Sequence, residues 1–193
     1  HPRLVRNVAL SPDFARDGCL WLSTYGAGLL ASRDRGASFE RLDTQDWAFP
    51  DGIAVSPGET GRRTLLIGTP NAFLIGSEAG GAPKITLPGK GFARVLAFAP
   101  DWVASGMAFA HIATDTNVKT NRFVFTADRG ATWADSNCGT VWDMAFAPDW
   151  AESGTMWASS PDALLVSHDR GRSFAKVESL DEVLESIVIG QDW

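Results

Sequence analysis

Three aspartates occupy the third position of an octapeptide that the chain repeats. The copies read SRDRGASF (32–39), TADRGATW (126–133) and SHDRGRSF (167–174), and we call them the first, second and third octapeptides. A carboxylate in such a setting could act in catalysis or bind a metal ion. The copies lie far apart along the chain, however, and one shared substrate would need all three to converge. We therefore expect a structural role for Asp34, Asp128 and Asp169.

A turn explains the composition of the octapeptide. An aspartate at a turn accepts hydrogen bonds from backbone N–H groups where a sheet ladder stops, and a hydroxyl two positions earlier joins the same cluster. Glycine supplies a positive φ at little cost, and the closing aromatic buries surface worth about 2–3 kcal/mol. The hydroxyls are Ser32, Thr126 and Ser167, the glycines are Gly36, Gly130 and Gly171, and the aromatics are Phe39, Trp133 and Phe174. The alternative left open is that the arginines before these glycines form a basic rim that docks a partner.

A second motif recurs about every 45 residues: VALSPDF, IAVSPGE, LAFAPDW and MAFAPDW. The two motifs keep a fixed order and divide the chain into units at about 4–44, 50–88, 92–136 and 140–180, with a partial fifth at 183–193. In the second unit the octapeptide is degraded, with Ala79 and Lys84 in place of the aspartate and the aromatic. Each unit reads as four short strands, which is typical of a β-propeller blade.

The two motifs resemble those of the Asp-box (bacterial neuraminidase repeat) family, and the resemblance spans essentially the whole chain. That family includes sortilin-like receptors, xyloglucanase-type glycoside hydrolases and photosystem assembly factors. The resemblance implies an all-β propeller array of four blades plus a partial fifth, in an incomplete or shared ring. It also implies that the octapeptides lie away from any active face, and it favours a secreted or periplasmic location. It does not select a function, because one fold carries many.

Candidate ligand-binding residues lie in the loops between second and third strands and in the connections between units. These candidates are Tyr25, Trp47, Asp51, His111, Asp115, Arg122, Trp142, Asp143 and Asp162. Their carboxylates and aromatic rings suit a glycan-binding or glycosidase face, since paired carboxylates perform general acid and base chemistry. Polar loop residues are equally expected on any propeller. The segment from His111 to Arg122 departs most from the repeat, and we predict a long loop there.

Several classes of function are disfavoured. A net charge of −6 without a basic stripe argues against a nucleic-acid partner. No apolar run reaches the roughly 18 residues of a membrane span. The histidines share no metal-ligand spacing, no phosphate-binding or nucleophile motif is present, and we predict no metal and no cofactor. For the two cysteines, two free thiols are favoured over a disulfide. A neuraminidase of the resembling family would need a cluster of arginines around the substrate carboxylate and a tyrosine nucleophile. It is disfavoured because, beside the sole tyrosine Tyr25, the expected face loops other than the long one supply no arginine except Arg94.

These observations predict a non-enzymatic scaffold that binds a protein or a carbohydrate. The alternative is a fragment of a xyloglucanase-like or sialidase-like glycoside hydrolase. An unclosed array would leave apolar faces at both ends, so association of copies into a complete ring is a further hypothesis.

Overall fold

The computed structural model describes residues 4–42, 50–58, 61–70, 72–79, 84–88, 91–114, 120–180 and 185–188. These residues form four antiparallel sheets of four strands each. The first sheet contains β1 (Leu4–Leu10), β2 (Leu20–Tyr25), β3 (Gly28–Ser32) and β4 (Glu40–Leu42), and the second contains β5 (Gly52–Val55), β6 (Thr64–Gly68), β7 (Ala72–Ser77) and β8 (Lys84–Pro88). The third contains β9 (Phe92–Phe98), β10 (Ala108–Ala113), β11 (Arg122–Thr126) and β12 (Ala134–Asp135), and the fourth contains β13 (Asp143–Phe146), β14 (Met156–Ser159), β15 (Leu164–Ser167) and β16 (Ala175–Lys176).

Within each sheet the strands are paired in the order in which they occur along the chain. The predicted all-β class with four four-stranded antiparallel sheets is therefore confirmed. Residues 185–188 form no strand, and most of the predicted fifth unit lies outside the described residues, so that unit stays a prediction.

Three single-turn helices follow the first strands of the first, third and fourth sheets, where the sequence predicted only strands and turns. They are α1 (Phe14–Asp17), α2 (Trp102–Ser105) and α3 (Trp150–Ser153). Each ends at a glycine in the left-handed region: Gly18 (φ 63°), Gly106 (φ 64°) and Gly154 (φ 62°). Four residues are too few to show helical periodicity, whereas the glycine at the helix end is the usual stop signal.

Consecutive sheets pack face to face. We call the face of a sheet that looks toward the next sheet along the chain its front face, and the opposite one its back face. Trp21 on the first sheet packs with Ile53 and Leu65 of the second, and Leu66 on the front of the second packs with Phe98 and Trp102 of the third. The front of the third sheet presents Phe109 to Met156 and Trp150 of the fourth. The hydrophobic core therefore consists of layers between neighbouring sheets. Because an inner sheet is covered on both sides, its strands carry apolar residues on both faces.

One sheet face is uncovered within the described residues. β1 is largely exposed, with Val8 and Leu10 at 55% and 54% of their full accessibility. Both project from the back face of the first sheet, where no preceding sheet exists in the described chain.

Candidate binding face

The topology gives each sheet two ends with different contents. The helices and the octapeptides lie at one end, because they follow the first and third strands of a sheet. The other end carries the loops from the second to the third strand and the starts of the first strands. We call this second end the loop face; the described residues of the predicted ligand set other than His111 lie on it or beside it.

Exposed aromatic rings are the most distinctive feature of the loop face. Tyr25 ends β2 and is 60% exposed, Phe92 begins β9 and is 42% exposed, and Trp142 immediately precedes β13 and is also 42% exposed. They come from three different sheets. Rings that are half open to solvent can stack on a sugar or on an apolar peptide side chain.

Two carboxylates of the loop face, Asp51 and Asp143, already bind other parts of the protein. Asp51 Oδ1 accepts hydrogen bonds from Arg6 Nε at 3.0 Å and Nη2 at 2.7 Å, which ties the first sheet to the second. Asp143 Oδ2 accepts from Ser186 Oγ at 2.8 Å and from the backbone N–H of Ile187 at 2.9 Å. Asp162, in the loop between β14 and β15, is exposed. Two of the three described carboxylates of the predicted set therefore hold protein segments in place.

The predicted long loop from His111 to Arg122 needs correction. His111 lies inside β10 and is buried, at 4% exposure, and Arg122 begins β11. Arg122 forms a bidentate ion pair with Asp135, with N–O distances of 2.7 and 2.8 Å. β10 is covered on both faces, so a histidine within it is compatible with a strand, and the connection is limited to residues 114–121. Trp47 and Asp115 lie outside the described residues.

The octapeptides form closed hydrogen-bonded turns between the third and fourth strands. In the first octapeptide, Asp34 Oδ1 accepts from Ser32 Oγ at 2.7 Å and from the Ser38 backbone N–H at 2.9 Å. Its Oδ2 accepts from Ser38 Oγ at 2.6 Å, while the Gly36 N–H donates to Ser32 Oγ at 2.9 Å. The second octapeptide repeats this pattern around Asp128, and the third repeats it around Asp169.

These hydrogen bonds also lower the pKa of the three aspartates and so keep the carboxylates ionised. Hydrogen bonds from the Ser38 hydroxyl and N–H lower the pKa of Asp34 to about 2, and those from Thr132 lower the pKa of Asp128 to about 2. For Asp169, burial raises the pKa, but hydrogen bonds from Ser173 outweigh it and the pKa is lowered. A carboxylate that remains ionised near pH 3 is a poor general base at neutral pH. The electrostatics therefore suit a structural turn.

The arginine of each octapeptide has a role that the sequence did not reveal. Arg35, Arg129 and Arg170 have φ values of 62°, 59° and 62°, a left-handed conformation that is uncommon for a residue with a side chain. Each Nη2 donates a 2.6 Å hydrogen bond to a backbone carbonyl in or beside the preceding single-turn helix, at Ala15, Val103 and Ala151 respectively. Each guanidinium also lies 5.3–5.8 Å from the ring centroid of the first residue of that helix. The repeated Arg-Gly pair was the available signal.

Asp101 links the third sheet to the fourth. Its Oδ1 accepts from Trp150 Nε1 at 2.7 Å, and its Oδ2 accepts from Arg170 Nη1 at 2.9 Å. Burial raises the pKa of Asp101, but these bonds and one from Ser105 outweigh it and the pKa is lowered. The proline-aspartate motif thus supplies an acceptor to the following sheet.

The boundary between the first and second sheets uses a different charged cluster. The buried Arg63 side chain donates to Asp17 Oδ2 at 2.6 Å and to Glu78 Oε2 at 3.1 Å. Glu78 lies in the degraded octapeptide of the second unit and is also buried. Arg63 thus connects the helix end of the first sheet with the second sheet, where the usual aspartate is missing.

Other reactive groups are few in the described part of the chain. Cys19 and Cys138 are free thiols, as predicted. Burial raises the pKa of Cys19 and raises that of Cys138 to about 11, so neither is an activated nucleophile. Among these residues no three histidine, cysteine or acidic side chains are grouped as metal ligands, and no helix is long and apolar enough to span a membrane.

Comparison with known proteins shows similarity in structure alone. No family model and no curated protein matches the chain. An ancestral GH74 enzyme matches with a TM-score of 0.74 and 16% identity over 90% of this chain and 24% of the enzyme. The chain therefore spans about a quarter of that enzyme's length.

Two further matches come from complexes with protein or peptide. A chain of the nidogen/laminin complex matches with a TM-score of 0.64 and 12% identity, over 88% of this chain and 62% of that one. YCF48 bound to D1 peptide matches with a TM-score of 0.60 and 16% identity, over 95% of this chain and 56% of that one. The fold is that of β-propeller blades. Because these three identities are below 25%, the matches assign no activity.

Proposed function

We propose that this chain is a non-enzymatic propeller module whose loop face binds a protein or peptide partner. The observation that carries the proposal is the combination on that face of exposed aromatics with carboxylates that are already bonded. Tyr25, Phe92 and Trp142 offer apolar contact area, whereas Asp51 and Asp143 each hold a segment of the protein itself. Aromatic side chains are the residues most enriched in the energetically dominant parts of protein interfaces.

Two of the structural matches support a partner of this class. The matched proteins were solved as a nidogen/laminin complex and as YCF48 with a D1 peptide. A carbohydrate is the other ligand that stacks on exposed aromatic rings, and it is an outcome of the test below.

The experiment selects binders from a random peptide display library against the wild-type chain. The dissociation constants of the selected peptides are then measured for wild type, Tyr25→Ala and Trp142→Ala. Loss of a central aromatic is expected to weaken binding by about tenfold or more. Val103→Ala is the matched control, because Val103 is equally exposed but lies in α2 at the opposite end of the sheets. Peptides that bind all four proteins equally would contradict the proposal.

A second candidate function is that of a glycoside hydrolase fragment. The TM-score of 0.74 to an ancestral GH74 enzyme favours it over other enzyme classes. It requires two carboxylates about 5–10 Å apart with access to substrate. Incubation with xyloglucan and with a sialoside, followed by a reducing-sugar or free sialic acid assay, tests it. Turnover that Asp162→Asn abolishes would replace the binding proposal with this one.

Self-association is also part of the proposed function: copies of the chain join so that their sheets complete one ring. The uncovered back face of the first sheet supports this, since Val8 and Leu10 are exposed there and a sheet of a second copy would cover them.

A further inference from the structure

We propose that two copies join head to tail through an ion pair between Arg35 of one copy and Asp149 of the other. The back face of the first sheet would pack on the front face of the fourth sheet of the second copy. This inference rests on the self-association proposed above and gives it specific contacts. It is independent of what the loop face binds.

The boundary between the third and fourth sheets provides the template. There the back face of the fourth sheet presents Phe146 and Met156, which are paired across β13 and β14 and pack against the third sheet. In the first sheet, Leu10 and Leu20 are paired across β1 and β2 in the same register. The back face of the fourth sheet, which has the same strand register as the back face of the first, therefore already packs on a preceding sheet.

Further positions on the two back faces correspond. Met144 pairs with Ala158 and Ala158 with Leu165 in the fourth sheet, just as Val8 pairs with Leu22 and Leu22 with Leu30 in the first. Phe174 and Phe39 close the corresponding octapeptides. In the fourth sheet these side chains contribute to a core with Phe109 and Phe123. In the first sheet Val8, Leu10 and Phe39 are exposed.

Arg35 corresponds to Arg170, which donates the ion pair between the third and fourth sheets. It matches Arg170 in backbone conformation, at φ 62° in both, and in its 2.6 Å bond to a helix carbonyl. Arg170 uses its remaining Nη1 to bind Asp101 of the preceding sheet. Arg35 has no carboxylate partner among the described residues.

Asp149 corresponds to Asp101, the acceptor of that ion pair. It holds the position of Asp101 at the start of its helix, and it accepts a 3.0 Å bond from Ser153 as Asp101 accepts a 2.9 Å bond from Ser105. Asp101 also receives Arg170 and Trp150 from the following sheet, whereas Asp149 receives no arginine in the described part of the chain. The bonds of residues 186 and 187 go to Asp143, at the start of β13, whereas Asp149 follows the end of that strand.

Arg35 lies on the first sheet and Asp149 on the fourth, and the proposed contact joins them between copies. The front face of the fourth sheet also offers apolar area, because Ala145, Trp157 and Val166 form a cross-strand row there. It corresponds to the row of Ala97, Phe109 and Phe125 in the third sheet, of which Phe109 and Phe125 pack against the fourth. A head-to-tail contact makes a ring when its rotation closes. Two copies supply eight sheets, which is within the usual range of four to eight blades.

Charge reversal tests the pairing. The mass in solution is measured by size-exclusion chromatography with light scattering over a concentration series, for wild type, Arg35→Asp, Asp149→Arg and an equimolar mixture of the two variants. Wild type is expected at twice the 20.7 kDa monomer mass. Each variant alone juxtaposes like charges at both junctions and should weaken association by at least about tenfold. In the mixture every junction is again complementary, so the dimer should re-form.

Controls separate this pairing from other effects. Arg62→Asp reverses an exposed charge elsewhere and should leave the dimer unchanged. Circular dichroism checks folding; if Arg35→Asp is unfolded, Val8→Asp replaces it, because Val8 is exposed on the same face and should also weaken the dimer. A monomeric wild type, a dimer that resists both reversals, or a mixture that stays monomeric would each overturn the proposal. None of these results alters peptide binding at the loop face.

Discussion

The indole Nε1 of Trp150 donates a 2.7 Å hydrogen bond to Oδ1 of Asp101, across the boundary between the third and fourth sheets. The same carboxylate binds Arg170, which is held in turn by its own octapeptide and helix. One aspartate thus connects two recurrent motifs of the repeat. The repeat therefore encodes contacts between neighbouring sheets as well as the fold of each sheet.

Asp101→Asn should lower the free energy of unfolding by about 1.5–3 kcal/mol, since hydrogen bonds to a charged acceptor are lost. Trp150→Phe removes the bond to Asp101 and also leaves a cavity, because Trp150 is buried against Phe109, so its cost should be at least as large. Urea unfolding of both single variants and the double variant should give a coupling energy of about 0.5–3 kcal/mol. Asp162→Asn, in an exposed loop, is the control and should change stability by less than about 0.5 kcal/mol. Strict additivity would contradict a direct contact.

Gly154→Ala should destabilise the protein more than Gly139→Ala. Both glycines have a positive φ, of 62° and 67°, so both substitutions carry the backbone cost of about 1–2 kcal/mol. A Cβ on Gly154 would also lie 2.8 Å from Cγ of Arg170, whereas one on Gly139 would meet nothing within 4 Å. Thermal unfolding of the two variants isolates this steric difference, expected at about 1–3 kcal/mol. Equal losses would show that the arginine can move aside at no cost.

Asp34→Asn should remove part of the acid sensitivity of the fold. The pKa of Asp34 is about 2 in the folded protein, against an ordinary 3.8, because Ser38 and Ser32 donate to the carboxylate. A lowered folded-state pKa stabilises the protein fully above the unfolded-state value, and this stabilisation is lost as the pH falls from about 4 to 2.

The measurement is the urea midpoint between pH 2 and pH 7. The urea midpoint of wild type should exceed that of Asp34→Asn by the largest amount above pH 5, and the two midpoints should converge near pH 2. Asp128→Asn should behave alike, since that pKa is also about 2. A gap that does not vary with pH would refute the assignment.

Arg63→Met should be among the most damaging single substitutions. It leaves Glu78, which is 3% exposed, as a buried charge without its cation, at a cost of about 3–5 kcal/mol. The double variant Arg63→Met/Glu78→Met should recover part of that loss, because Glu78 no longer lies buried without a cation, whereas Asp17 still lacks its partner. Urea unfolding of the two proteins checks the order. A double variant less stable than Arg63→Met would show that the cluster itself stabilises the fold.

The sequence predicted those features that depend on neighbouring residues. Alternating apolar residues indicated the strands of each sheet, and the repeated spacing indicated four sheets. Contacts between sheets were not predictable in the same way. The partners of Asp101 lie 49 and 69 residues away, and those of Arg63 belong to two units, one of which has lost its octapeptide. His111 was misplaced for a related reason, since β10 is buried on both faces and tolerates a polar residue only in its tertiary context.

The outermost strands of three sheets are very short, with three residues in β4 and two each in β12 and β16. A long outer strand would offer a row of unpaired N–H and C=O groups to any extended chain nearby. These outer strands make only two or three residue pairings each, and they follow octapeptides whose polar groups are already bonded internally. Amyloid-type growth by strand addition is therefore disfavoured at the outer edges of these three sheets, even in a protein that consists largely of sheet.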